Sequence, residues 1–331
     1  MSHAYDVAAI GNAIVDVIAP SSDAFLDEQG LTKGTMMLID EARAHSLYAA
    51  MAPGIEASGG SAGNTVAGVA SFGGTAAYVG KVATDQLGEV FTHDLRAQGV
   101  TFETPPMSGG PATARSLINV TPDGQRTMST FLGVAGSLTA DDVDEAMIRD
   151  SAITYLEGYL FDPPPARAAF DRAADAARGA GRKVSITLSD VFVVERWRND
   201  LLDFLSAKAH LVFANENELM ALFETTDFDE AAAAVRSLVP MAAVTRSEKG
   251  SLVLAGAQAH EVPAYPVDEV VDTTGAGDQY AAGFLFGLAH GRELRDCARL
   301  GALAASEVIG HYGPRPLVSL KDLAAEKGLL G

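Results

Sequence analysis

Val271-Asp272-Thr273-Thr274-Gly275-Ala276-Gly277-Asp278-Gln279-Tyr280 sets two glycines and an alanine directly ahead of a carboxylate, and a helix follows at once. Tyr280, Phe284 and Leu288 recur every fourth residue, Ala281 and Leu285 lie beside them, and Gly291 supplies a stop. A glycine-rich turn at a helix start offers unpaired N–H groups and the positive end of the helix dipole, a site for an anion such as phosphate. Asp278 falls in the first turn, where it would repel a phosphate that was merely held. Its presence makes sense if it takes a proton from a hydroxyl attacking that phosphate. An Asp that only complements the helix dipole is the plainer alternative.

Outward from this turn, short apolar runs such as Val7-Ala8-Ala9-Ile10, Val184-Ser185-Ile186-Thr187-Leu188 and Leu211-Val212-Phe213-Ala214 read as buried strands. They alternate with Ala-rich helical segments at 166–179 and 229–238, which predicts an α/β protein with a mainly parallel sheet. Two segments differ. Residues 13–40 hold small alternating stretches (Ile14–Ile18, Thr35–Ile39), and residues 112–132 form a hairpin pattern around Thr121-Pro122-Asp123-Gly124. Paired, they would make a small β lid over the carboxyl ends of the main strands, where open α/β sheets bind ligands. Residues 1–12, 41–111 and 133–331 would then form the large nucleotide- and substrate-binding domain. A pair of ordinary surface hairpins is the alternative.

Of the 331 residues 48 % are apolar, enough for a sizeable core, and the net charge of −19 argues against nucleic acid or an acidic membrane as partner. The lone Cys297 reads as a small core residue. There is no signal-peptide pattern and no run of about 18 apolar residues, so a soluble cytoplasmic protein is expected. Three motif matches fail on inspection. Gly59-Gly60-Ser61-Ala62-Gly63 fits G-x-S-x-G, but a hydrolase elbow needs a strand before it, and Ala52–Ser58 reads poorly as one. Gly74–Val82 misses the P-loop spacing and its Ser/Thr, and the Gly275 turn lacks the third glycine of a dinucleotide fingerprint. No His or Cys spacing supports zinc.

Taken together, Asp272–Asp278, the Gly59–Asn64 loop with Gly73-Gly74 and Gly80–Gly88, and Asn215-Glu216-Asn217-Glu218 after a strand resemble the ribokinase/PfkB family of small-molecule kinases, in the family's order and over nearly the whole chain. Gly11-Asn12-Ala13-Ile14-Val15-Asp16 is similar to the start of the adenosine-phosphorylating members in particular. The resemblance implies a ribokinase-like fold, an ATP-dependent kinase and adenosine as acceptor, with ribose, fructose or a keto-sugar acid as the alternative acceptor. It implies Asp278 as general base and the N–H groups of Gly275, Ala276 and Gly277 as the hole for the transferring phosphoryl.

By the same resemblance Asp16, Gly60 and Asn64 grip the ribose beside Gly59 and Ser61, Asn12 lies near the base or sugar, and Glu157 stands where ribokinases carry a sugar-binding glutamate. Arg126 matches an arginine that reaches the phosphates. Asn215 and Glu218 are implied to position Mg²⁺, and Asp272 and Thr274 a monovalent cation such as K⁺. Thr245, Ser247 and Gly250 belong to the nucleotide stretch, with Ser247 where relatives carry glycine. Monomer and homodimer both remain open.

Overall fold

The computed structural model describes residues 3–330 and contains two sheets. The large one has nine strands in the order Gln258–Val262, Ser251–Ala255, Met241–Thr245, Leu211–Asn215, Lys183–Thr187, Ser151–Glu157, Tyr5–Ile10, Ala76–Val79 and Val100–Phe102. Neighbours are parallel from Met241–Thr245 to Val100–Phe102, and the other two strands run antiparallel as an edge hairpin. Parallel strands need apolar residues on both faces, and the first strand shows why its run is continuous. Ala8 and Ile10 join one core with Phe170 of helix Pro164–Gly179, whereas Val7 and Ala9 join another with Val66 and Phe284 of helices Ser61–Ser71 and Ala276–Ala289. Cys297 sits fully buried against Gly287, and burial pushes its thiol up to about 12.

The small sheet has the order Met36–Leu38, Arg126–Phe131, Ala114–Val120, Ile14–Pro20, Ile55–Ser58. The expected hairpin forms, and the two β-rich segments pair in parallel, Asp16 opposite Ser116 and Met36 opposite Met128. One difference from expectation concerns the chain division. Strand Ile55–Ser58, within the stretch 41–111 read as large domain, pairs antiparallel with Ile14–Pro20. Helix Glu41–Ala50 also turns to this sheet, placing Leu47 with Val17, Leu26, Leu31 and Leu117. The strand was illegible because it pairs on one side only and is just four residues long, two of them polar.

Alternation fixes the opposite face of this sheet. Ile14, Asp16 and Ile18 share it with Ser116, Ile118, Arg126, Met128 and Thr130 through the strand registers. No helix among the described residues is long and apolar enough to cross a membrane.

Candidate active site

The site forms where the signature turn meets the end of the small sheet. Gly275 starts helix Ala276–Ala289 with φ +78°, and a Cβ there would lie 2.6 Å from the Cα of Pro314, so conformation and space both demand glycine. The Ala276 N–H donates to the Thr273 carbonyl at 3.2 Å. Among the described residues nothing accepts from the N–H groups of Gly275 and Gly277, and Gly277 is exposed. Two of the three expected donors are therefore free for an anion, with the helix dipole behind them.

Asp278, one residue on, turns away from that opening. Its carboxylate accepts from the Ser61 hydroxyl at 2.6 Å and from Asn64 Nδ2 at 3.0 Å. Burial pushes it up to about 6, while these two hydrogen bonds and Arg315 pull the other way. Ser61 and Asn64 are brought there by helix Ser61–Ser71, which begins directly after strand Ile55–Ser58 and Gly59-Gly60. A strand-turn-helix elbow thus does surround Ser61, contrary to the sequence reading, but its hydroxyl serves a carboxylate and no imidazole contacts it among the described residues.

Asp16 enters from the small sheet. A Cβ on Gly59 would come within 2.4 Å of its carboxylate, which is the close approach that glycine permits. Burial raises Asp16 to about 6 against the opposing pull of Arg315 and Arg126. No described protein group hydrogen-bonds its carboxylate, in contrast to Asp278, so its oxygens are available to ligand hydroxyls.

Several expected roles shift. Glu157 is 1 % exposed and accepts from the Ala62 N–H (2.8 Å), Asn12 Nδ2 (2.8 Å) and the Asn12 N–H (3.3 Å). Burial raises it to about 7. A carboxylate so occupied braces the loops after strands Tyr5–Ile10 and Ile55–Ser58, and Glu157 and Asn12 hold each other through the Asn12 N–H and Nδ2. Arg126 pairs with Asp272 in a buried ion pair. Asp272 also accepts from the Thr274 N–H and hydroxyl (3.0 and 2.8 Å) and the Gly313 N–H (3.1 Å). Both its oxygens face donors and a guanidinium, an arrangement that suits a lock on the turn and does not fit a K⁺ ligand.

Asn215 and Glu218 form a capping box on helix Glu216–Leu222, with Asn215 Nδ2 donating to Glu218 Oε1 at 2.6 Å. Burial raises Glu218 to about 7. No cluster of three His, Cys, Asp or Glu able to hold a metal occurs among the described residues. The Asn215 and Glu218 side chains satisfy each other across the start of the helix. Asn215 lies opposite Thr245 on the neighbouring strand, at the edge of the nucleotide cleft.

That cleft has a volume of about 670 Å³. Thr245, Ser247, Thr273 and Gly277 give it a polar end, and Tyr265, Val267, Val270, Ala302, Ala305 and Ile309 an apolar wall. Gly250 lines it too. Ser247 holds φ +51°, so it keeps the left-handed conformation for which relatives use glycine. The wall residues and Arg315 were missed from sequence, for they lie in a loop and on a helix flank with no motif spacing. A larger hollow of about 780 Å³ beside helix Gln86–Ala97 contains none of these residues.

The turn therefore stands between this cleft, which Gly277 lines, and a buried cluster of hydrogen-bonded side chains around Asp278. The model of the pfkB family carbohydrate kinases matches residues 54–320. The chain belongs to that family. This kinase superposes on adenosine kinase from Sinorhizobium meliloti with a TM-score of 0.92 and 55 % identity, covering 98 % of this chain and 99 % of the other. It is 27 % identical to fructokinase of Klebsiella pneumoniae over 243 residues, 72 % of this chain and 79 % of that one. It is also 36 % identical to cytidine kinase of Thermococcus kodakarensis, over 137 residues that make up 40 % of this chain and 49 % of its relative. The fold is ribokinase-like, and the protein is an ATP-dependent sugar or nucleoside kinase.

Proposed function

We propose that this kinase transfers the γ-phosphoryl group of Mg·ATP to the 5′-hydroxyl of adenosine, giving AMP and ADP. The observation that carries this reading is the signature turn itself, whose Gly275 and Gly277 N–H groups are free and whose Gly277 lines the cleft, while Asp278 sits among Ser61, Asn64 and Asp16. ATP binds with its adenine against the apolar wall and its phosphates toward Thr245, Thr273 and Gly277. Asn215 and Glu218 would hold the waters of a Mg²⁺ ion arriving with the triphosphate, and that ion would supply charge neutralisation there.

Asp16 accepts hydrogen bonds from the ribose hydroxyls and so turns the 5′-hydroxyl toward Asp278, which takes its proton as the oxygen attacks. The two free N–H groups stabilise the charge that grows on the transferring phosphoryl group. The small sheet acts as a lid that excludes water and so suppresses ATP hydrolysis. Its site-side face carries the row Ile18, Ile118 and Met128 directly beyond the Asp16 row, an apolar surface that suits a nucleobase more than a free sugar. The 55 % identity to an adenosine kinase supports the same choice.

ADP release from Mg·ATP against adenosine, cytidine, ribose, fructose and a keto-sugar acid tests the reading. Adenosine is expected to give the highest kcat/KM. A free sugar preferred over every nucleoside would overturn the acceptor assignment while leaving the phosphotransfer intact.

A further inference from the structure

Arg315 lies between Pro314 and Pro316, which restrict the backbone on both sides of it. The segment is bolted to the signature turn, since the Gly313 N–H donates to Asp272 and the Pro314 carbonyl accepts from Gln279. The Arg315 side chain is only 13 % exposed. Its Nε donates to Asn64 Oδ1 at 3.1 Å, and its Nη1 donates to the Ser58 hydroxyl at 2.5 Å and stands 3.5 Å from Asp94 Oδ2.

A primary amide has one accepting end and one donating end. With Oδ1 of Asn64 turned to the guanidinium, Nδ2 must turn the other way, and there it meets Asp278. The acceptor-only carboxylate and the donor-only guanidinium thus select the same orientation of the amide from its two ends, and Arg315 anchors the end that Asp278 does not touch.

We propose that Arg315 is the positioning residue of the acceptor site. It fixes the Asn64 amide, and through it the Asp278 carboxylate, and it supplies the fixed positive charge that keeps Asp278 ionised and ready to accept a proton. This inference rests on the reading of Asp278 as base. Arg315 reaches Asp278 through Asn64 and by its field, with no direct hydrogen bond to it.

The charged and titratable groups around Asp278 come from several elements. Asp16 faces it from the small sheet and Glu157 from strand Ser151–Glu157, each coupled to it so that a second negative charge costs more, whereas burial keeps Tyr155 of that strand a neutral phenol. Arg315 is the cation whose field opposes them at Asp278. Asp94, on helix Gln86–Ala97, is the counter-ion of Arg315, and Arg126 acts on Asp16 from the lid hairpin.

The test uses Arg315→Gln, Arg315→Lys and Asp94→Asn in the full chain. Each is assayed with Mg·ATP and the best acceptor of the panel, with kcat and KM followed across pH. Arg315→Gln is expected to lower kcat on the order of a hundredfold, as misplacement of a reacting group does. Its acid limb should also move up by about one pH unit, as loss of a nearby opposite charge requires.

Arg315→Lys keeps the charge but not the planar fork, so kcat falls while the limb stays in place. Asp94→Asn removes the competing carboxylate and moves the limb down. KM for ATP stays near the wild-type value in all three.

A folded Arg315→Gln enzyme with the wild-type limb would overturn the proposal. If that variant does not fold, an unmoved limb in Asp94→Asn does the same. Asp278→Asn separates the two readings. Turnover retained there defeats the base assignment, whereas an inactive Asp278→Asn beside an unmoved Arg315→Gln limb defeats only the role of Arg315.

Discussion

The two sides of the Gly275–Gly277 turn are built in opposite ways. On the acceptor side, Asp278, Asn64, Ser61 and Arg315 are joined by side-chain hydrogen bonds between segments far apart in the chain, and Glu157 is fully engaged beneath them. On the donor side the polar end is mostly backbone and small hydroxyls, and the wall is apolar and open to solvent. The contrast teaches where precision is needed. Proton removal demands a carboxylate held at one place and one charge state, while a triphosphate is gripped by backbone dipoles and its own metal. The acceptor side accordingly concentrates buried carboxylates pushed toward or above 6, namely Asp16, Asp278 and Glu157.

The largest effect should come from breaking the acceptor side at its centre. Asp278→Asn is expected to fold normally and to lose about 10³-fold in kcat, as removal of a general base does, measured by ADP release at saturating acceptor. Near-normal turnover would mean that both sides work by binding alone. The wild-type enzyme should show an acid limb in kcat/KM near pH 6. Asp278 is raised above the ordinary carboxylate range, so it is ionised and able to accept a proton above that pH and is protonated and inactive below it. An activity that stays flat well below pH 6 would place the base elsewhere.

A second break is more selective. Asp16→Asn should raise the acceptor KM by about tenfold to a hundredfold, the size of a lost charge-assisted hydrogen bond, and leave KM for ATP unchanged. Equal change in both constants would blur the division between the two sides of the turn. The smallest effect belongs to the donor side. Ser247→Gly relieves a left-handed serine, so thermal stability should rise by about 1 kcal/mol and KM for ATP should move by no more than about twofold. A large loss of ATP affinity would show that the serine hydroxyl, and not the backbone shape, holds the nucleotide.

Much of the fold was legible because parallel strands announce themselves as short apolar runs, and the Thr121–Gly124 hairpin by its turn residues. The edge strand Ile55–Ser58 was not, since it has one neighbour and too few residues for a period to show. In the site, Asp278, Ser61 and Asn64 could be named from motifs, and the structure brings them within hydrogen-bonding distance. Glu157, Asp272 and Arg126 could be named but not given their partners. Which donor satisfies a buried charge often depends on a distant segment, 95 residues away for Ala62 and Glu157. Arg315 carried no spacing signal, because its importance comes from the two prolines and the buried groups that surround it.

The central claim is that one carboxylate directs phosphate to one hydroxyl. The direct measurement is phosphorus and proton NMR of the product formed from adenosine and Mg·ATP by the wild-type enzyme and by Asp278→Asn. The expected result is a single 5′-monophosphate from the wild type and no product from the variant over the same time. Phosphate on a 2′- or 3′-hydroxyl, or the same 5′ product at a similar rate from Asp278→Asn, would contradict it.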